Sequence, residues 1–270
     1  MRCLFICMRR MNGSLTRQFQ IPRNVWGAVN MINALPDNVL NALKSVMAAL
    51  LLMLVVPLSA ADNAGTESSA SKKDKRHWKE ATYDEKNDIR VFLSDVKGSD
   101  MKAFKGVTTL KSSLTAPIAL LQDVTRAHEW VFNCKAMDLI EELSSTNAIY
   151  YTVTSMPWPV KNRDSISETT ITQNPDTGAV RVSMDARNDI FPANDDHVRV
   201  REFSGSWLLE PLASGDLRVT YEAHANPGGG LPSWLVNSFV VDAPLNTLRE
   251  FRDIVLEEQY QTATRDYITH

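Results

Sequence analysis

The run NPGGGLPSWLVN, Asn226 to Asn237, joins a series of short alternating strands to a long amphipathic C-terminal helix. Its glycines Gly228, Gly229 and Gly230 take every Cβ out of the joint, and Pro232 fits the first turn of the helix that follows. Such a joint can hinge. A movable helix with one apolar face, laid across a sheet, is a natural cover for an apolar cavity, so a lipid-sized ligand is expected rather than bond-making chemistry.

The strands before the joint carry the other half of that expectation. Ile89 to Val96 and Lys102 to Leu110 are predicted strands. Thr115-Ala116-Pro117 opens a helix with Ile118, Leu121 and Val124 on one face, and a second helical stretch is predicted over Ala127 to Leu143. Five further strands follow, at Ala148 to Ser155, Ser165 to Gln173, Ala179 to Arg187, His197 to Leu209 and Leu217 to Ala225. Turn-formers separate them, as in NPDTG (Asn174 to Gly178) and SGD (Ser214 to Asp216). Connections this short imply antiparallel neighbours, so an antiparallel meander is expected.

One face of that sheet is apolar. Val180, Val182, Met184 and Ala186 alternate with Arg181, Ser183, Asp185 and Arg187, and Leu217, Val219, Tyr221 and Ala223 alternate likewise. The C-terminal helix supplies a partner through Leu245, Leu248, Phe251 and Val255. The fold class is therefore α+β.

The first sixty residues read differently. Met47 to Leu58, MAALLLMLVVPL, is uncharged and too short for the roughly 20 apolar residues of a membrane-spanning helix. With Lys44 ahead and Ser59-Ala60-Ala61 behind, it reads as a secretory signal peptide cleaved after Ala61, for which Met31 is a more ordinary start than Met1. Residues 1–61 are thus the expected leader, 62–76 a polar tether (DNAGTESSASKKDKR) and 77–270 the folded domain of an exported, periplasmic protein.

The leader takes 6 of the 29 basic and 1 of the 32 acidic residues, leaving 23 against 31 and a charge of about −8. That balance argues against a nucleic-acid partner. Only Cys134 follows the leader, so the domain has no internal disulfide and stands on its core.

Three segments in order, MPWPVKNRD (Met156 to Asp164), GSWLLEPL (Gly205 to Leu212) and NPGGGLPSWLVN, make the last 190 or so residues resemble the StAR-related lipid-transfer (START) domain family in its bacterial form. The resemblance implies a helix-grip fold: a curved antiparallel sheet around a long C-terminal helix, with an internal hydrophobic cavity for one lipid. Sterols, phospholipids, ceramides and fatty acids are the ligand classes it implies, with the helix and a neighbouring loop as lid. Arg163 and Asp164 match the family's Arg-Asp pair. In several members another arginine further along that strand reaches into the cavity; here the strand continues DSISETTI, with Glu168 and no arginine, so that polar anchor does not carry over.

The candidate ligand-binding residues are Trp158, Arg163, Val182, Met184, Val200, Tyr221, Trp234, Leu245 and Leu248, with Gly228, Gly229 and Gly230 as hinge. Each has a plainer reading. Trp158, between Pro157 and Pro159, rims a mouth or plugs the core; Arg163 meets a headgroup or pairs with Asp164; Tyr221 offers its hydroxyl to a ligand or to the protein. Trp234 is a lid residue or anchors the helix start, and Val182, Met184 and Val200 are cavity wall or ordinary core.

No GxSxG, HExxH, CxxC, GxGxxG or P-loop sequence occurs, and the histidines lack ligand spacing. No catalytic residue, metal or cofactor is expected. The expected partners are a lipid and, transiently, a membrane, for a monomeric carrier. The rival readings are a cyclase- or hydratase-like enzyme, which needs Glu168 or Asp185 pointing inward beside Tyr221, and a regulatory domain with a filled core.

Overall fold

The computed structural model describes residues 76–193 and 195–269. The leader, its cleavage site and all but the last residue of the tether lie outside the described residues. Strands β1 (Lys79–Asp84), β2 (Ile89–Ser94) and β3 (Ala103–Leu110) come first. Helix α1 (Thr115–Gln122), a 3-10 turn (Val124–Arg126) and the single-turn α2 (Ala127–Trp130) follow. Then come β4 (Cys134–Ser144), β5 (Asn147–Thr154), β6 (Arg163–Gln173), β7 (Val180–Ala186), the two-residue β8 (Val198–Arg199), β9 (Glu202–Pro211) and β10 (Leu217–Asn226). The long helix α3 (Ser233–Ile254) and the short α4 (Glu258–Gln261) end the chain.

The strands form one antiparallel sheet in the order β1-β2-β3-β10-β9-β7-β6-β5-β4, with β8 paired parallel to β6 off that path. From β4 to β10 successive strands pair antiparallel, the expected meander, with β8 alone off the path. The expected strand from His197 to Leu209 divides at Val200-Arg201: its first part docks on β6, its second on β7, and β10 then returns to pair with β3. That closure brings the N-terminal hairpins and the middle of the chain into one sheet. The turns hold as their residues require. Asn174 Oδ1 accepts from the amides of Asp176 and Thr177 at 2.8 and 3.0 Å, and Gly178 and Gly215 take φ of +69° and +85°.

The second predicted helix is a correction. Only Ala127–Trp130 is helical; Asn133 turns the chain with φ +55°, and residues 134–144 form β4. Thr115 opens α1 as expected, and its hydroxyl donates to the Ala263 carbonyl at 2.8 Å and ties the helix to the C-terminal tail.

Cross-strand partners share a face, so register fixes what meets the helix. One row runs Val182–Trp207–Tyr221–Gly106–Val91 from β7 through β9, β10 and β3 to β2. At Gly106 the helix α3 comes close to the sheet: a Cβ there would lie 2.6 Å from Leu248 Cδ1. Leu248, Phe251 and Val255 are fully buried on this row and fix the C-terminal half of α3 in the core. Trp207 stacks on Tyr221 (4.3 Å between centroids) and meets Phe251 at 5.0 Å.

Candidate functional site

The N-terminal half of α3 does not pack into that core. Between it and the concave face of the sheet lies a cavity of about 270 Å³. Residues from β3 to β10 line it together, which requires the sheet to curve around the helix. Val236, Phe239, Val240, Ala243 and Thr247, one helical stripe, form its roof. Met184, Phe203, Trp207, Tyr221 and Ala223 form its apolar floor.

The wall made by β5 and β6 is different in kind. Alternate residues of β6, Arg163, Ser165, Ser167 and Thr169, face the cavity, with Tyr150, Thr152 and Thr154 of β5 beside them. An apolar floor and a hydroxylated wall thus share one cavity.

Arg163 is buried on this wall and holds the joint. Its Nε donates to Pro227 O at 3.3 Å, its Nη2 to Gly228 O at 3.0 Å and its Nη1 to Lys161 O at 2.6 Å. Burial lowers its pKa. The expected pairing with Asp164 is corrected: Asp164 points to the other face, where it accepts from Arg199 Nε at 3.1 Å and Nη2 at 2.8 Å. That buried pair fastens β8 to β6.

The structure brings Arg163, Val182, Met184, Val200 and Tyr221 together on the cavity wall. Tyr221 has no hydrogen-bond partner among the described residues, and burial pushes its phenol up to about 12, so it stays protonated at neutral pH. Leu245 and Leu248 lie elsewhere. Both pack into the core, because the helix turns the stripe containing Thr247 toward the cavity and Leu248, one residue on, toward Gly106.

Trp158 is 92% exposed and so is no core plug, and Trp234 is 62% exposed in the first turn of α3. Gly228 and Gly229 adopt φ of +65° and +67°, left-handed conformations that favour glycine; Gly230 does not. The three bonds of Arg163 set the loop bearing Trp158 and the joint preceding Trp234 side by side. Both tryptophans therefore stand at one end of the domain.

Glu168 and Asp185 pair across β6 and β7 on the outer face, and Glu168 binds Arg187 and, at 2.8 Å, Asn147. Neither carboxylate lines the cavity. No group of side chains suited to a metal ion occurs among the described residues.

The reading from sequence missed Phe132, Phe203 and Phe239, and the whole hydroxylated wall. The alternation Ser165, Ser167, Thr169 is polar and so carries no apolar signal that would mark a cavity wall. The reason lies on the other side of β6: Ile166 is 1% exposed there, beneath the segment that carries Phe191, whose ring meets Tyr151, the cross-strand partner of Ile166, at 5.7 Å. Apolar and polar faces are locally exchanged.

Comparison with known proteins agrees with this architecture. The model of the START domain matches residues 60–259. A stretch of 175 residues is 38% identical to an uncharacterized protein of Pseudomonas aeruginosa, covering 65% of this chain and 85% of that protein. Among solved structures, the STAR-related lipid transfer protein from Xanthomonas axonopodis is similar, with a TM-score of 0.61 and 33% identity over 67% of this chain and 99% of that chain. Mouse phosphatidylcholine transfer protein is 26% identical over 117 residues, which is 42% of this chain and about half, 54%, of that protein.

Proposed function

The chain belongs to the START domain family, and from that premise we propose that it binds a single hydrophobic lipid beneath α3 and shields or transfers it between membranes. The observation that carries this reading is the cavity itself, with an apolar floor and a helical roof but no carboxylate in its lining. Burying an alkyl chain gains about 0.8 kcal/mol per methylene, so such a site needs few polar contacts for useful affinity. Sterol, phospholipid and fatty-acid ligands all belong to the proposal. The phosphatidylcholine in the mouse relative's name supports the phospholipid class.

Entry is proposed through the N-terminal half of α3. This half is bounded by the glycine joint at one end and by Pro244, inside the helix, at the other. A proline there removes one helical hydrogen bond and weakens the helix at that turn. About 270 Å³ lies near the lower limit of ligand pockets, so a two-chain lipid requires this half-helix to swing outward. Trp158 and Trp234, exposed at the same end, suit transient contact with a bilayer, where indole rings favour the interface. Export to the periplasm as a monomer, after cleavage near Ala61, completes the proposal.

Native mass spectrometry of the protein purified from the organism that encodes it tests the reading. A bound lipid, lost on denaturation, is the expected result. Protein that arrives empty and takes up no lipid from vesicles would contradict it.

A further inference from the structure

Five hydroxyls, those of Thr152 and Thr154 on β5 and of Ser165, Ser167 and Thr169 on β6, line the cavity on adjacent strands. None of them has a hydrogen-bond partner within the protein among the described residues. They open onto the cavity, so water or a ligand is the partner left to them. Across the cavity Met184, Phe203, Val236, Phe239 and Val240 are apolar, and neither Tyr221 nor Thr247 bonds to any of the five.

Resting on the lipid-binding reading, we infer that the ligand is an elongated amphiphile carrying hydroxyl or carbonyl oxygens along its body, of the hydroxylated fatty-acid type, and not a bare aliphatic chain. A plain alkyl chain pressed on this wall would strip five hydroxyls of water and return no hydrogen bond, a net cost. An oxygenated chain restores the bonds. The wall also fixes spacing: same-face residues on a strand recur at about 6.6–6.8 Å and neighbouring strands stand about 4.8 Å apart. Ser165, Ser167 and Thr169 thus form a rail of about 13 Å, with Thr152 opposite Ser165. A hydroxyl group both donates and accepts, so the rail serves alcohol and carbonyl oxygens alike.

The test is competition of stearic acid and 9,10-dihydroxystearic acid against a fluorescent fatty acid, using the full chain, the double variant Ser165→Ala/Thr169→Val, and Thr172→Val on the exposed outer face as control. The expected result is a preference of about 10-fold for the dihydroxy acid, the size of one or two net hydrogen bonds. It should fall to near parity in the double variant, survive in Thr172→Val, and leave stearic acid binding no weaker. Should the double variant fail to fold, the native protein's preference and Ser165→Ala alone carry the same decision. Equal or tighter binding of stearic acid by the native protein, or a preference that survives the double variant, overturns the rail while leaving lipid binding intact. Binding of neither acid overturns both readings.

Discussion

Met184 and Val182 occupy the same face of β7 two residues apart, yet they stand differently toward the void. Met184 is half-buried, with its Cε 3.0 Å from where a Cβ on Gly205 would lie, and the flexible thioether leaves room in front of it. Val182 is 2% exposed and belongs to the core cluster as well as to the cavity wall. Met184→Trp is therefore expected to fill the cavity and abolish lipid binding with a small change in stability. Val182→Trp should cost about 1–3 kcal/mol as overpacking. Urea unfolding and vesicle-to-protein lipid transfer, measured on both, separate the effects; a destabilised Met184→Trp that still binds lipid contradicts the cavity. At this scale the sequence was legible where alternation sufficed, as for Val182, Met184 and Tyr221. It singled out Arg163 but not its partners, which are backbone carbonyls, two of them more than sixty residues away at Pro227 and Gly228.

Elements show the same division between local and distant causes. The glycine joint and the apolar stripes of β7 and β10 were readable because each depends on its own residues. Strand β4 was not. Ala136, Leu139, Ile140 and Leu143 recur at helical spacing, while three irregularities in the pairing with β5 break the alternation that would have marked a strand. Its position at the edge of the sheet leaves Leu139, Ile140 and Leu143 exposed, so no buried face announces it. Helix α3 likewise looked uniform, but its C-terminal half is seated against Gly106 and its N-terminal half roofs the cavity. Two glycine substitutions distinguish the halves. Gly106→Ala drives a Cβ into Leu248 and should lower stability by about 1–3 kcal/mol. Gly229→Ala places an L-residue at φ +67°, a strain of about 1–2 kcal/mol that falls on the joint alone. Stopped-flow transfer of a fluorescent lipid between vesicles should show altered uptake and release rates for Gly229→Ala, with preference among lipids retained. An unchanged rate at lowered thermal stability would make α3 a static core element throughout.

The domain as a whole is held shut by contacts between distant segments, with Cys134 the single cysteine among the described residues and free. Arg249 of α3 donates through Nε to Asp84 at the end of β1 at 2.6 Å, and Arg252, one turn on, reaches Thr109 O of β3, also at 2.6 Å. The same helix that roofs the cavity is thus tied to the N-terminal hairpin. Asn87 donates to Asp84 at 2.7 Å, and this bond together with Arg249 lowers the carboxyl from its ordinary 3.8 to about 2. A carboxyl whose pKa is depressed by folding contributes stability that is complete above its unfolded value and disappears as pH falls through the folded one. The tie should therefore be intact above about pH 5 and lost between about pH 4 and pH 2. Asp189 is also lowered to about 2, but by Arg187 two residues away, so its protonation loosens a surface turn and no joint between elements. Urea unfolding of the native protein and of Asp84→Asn across pH 7 to pH 2 reads the tie directly. The native protein should be the more stable at pH 7, with the difference shrinking steadily below pH 4 until the two coincide near pH 2. A difference that stays constant over this range would mean that the charge on Asp84 does nothing to hold α3 to the hairpin, and that the helix is seated by its apolar face alone.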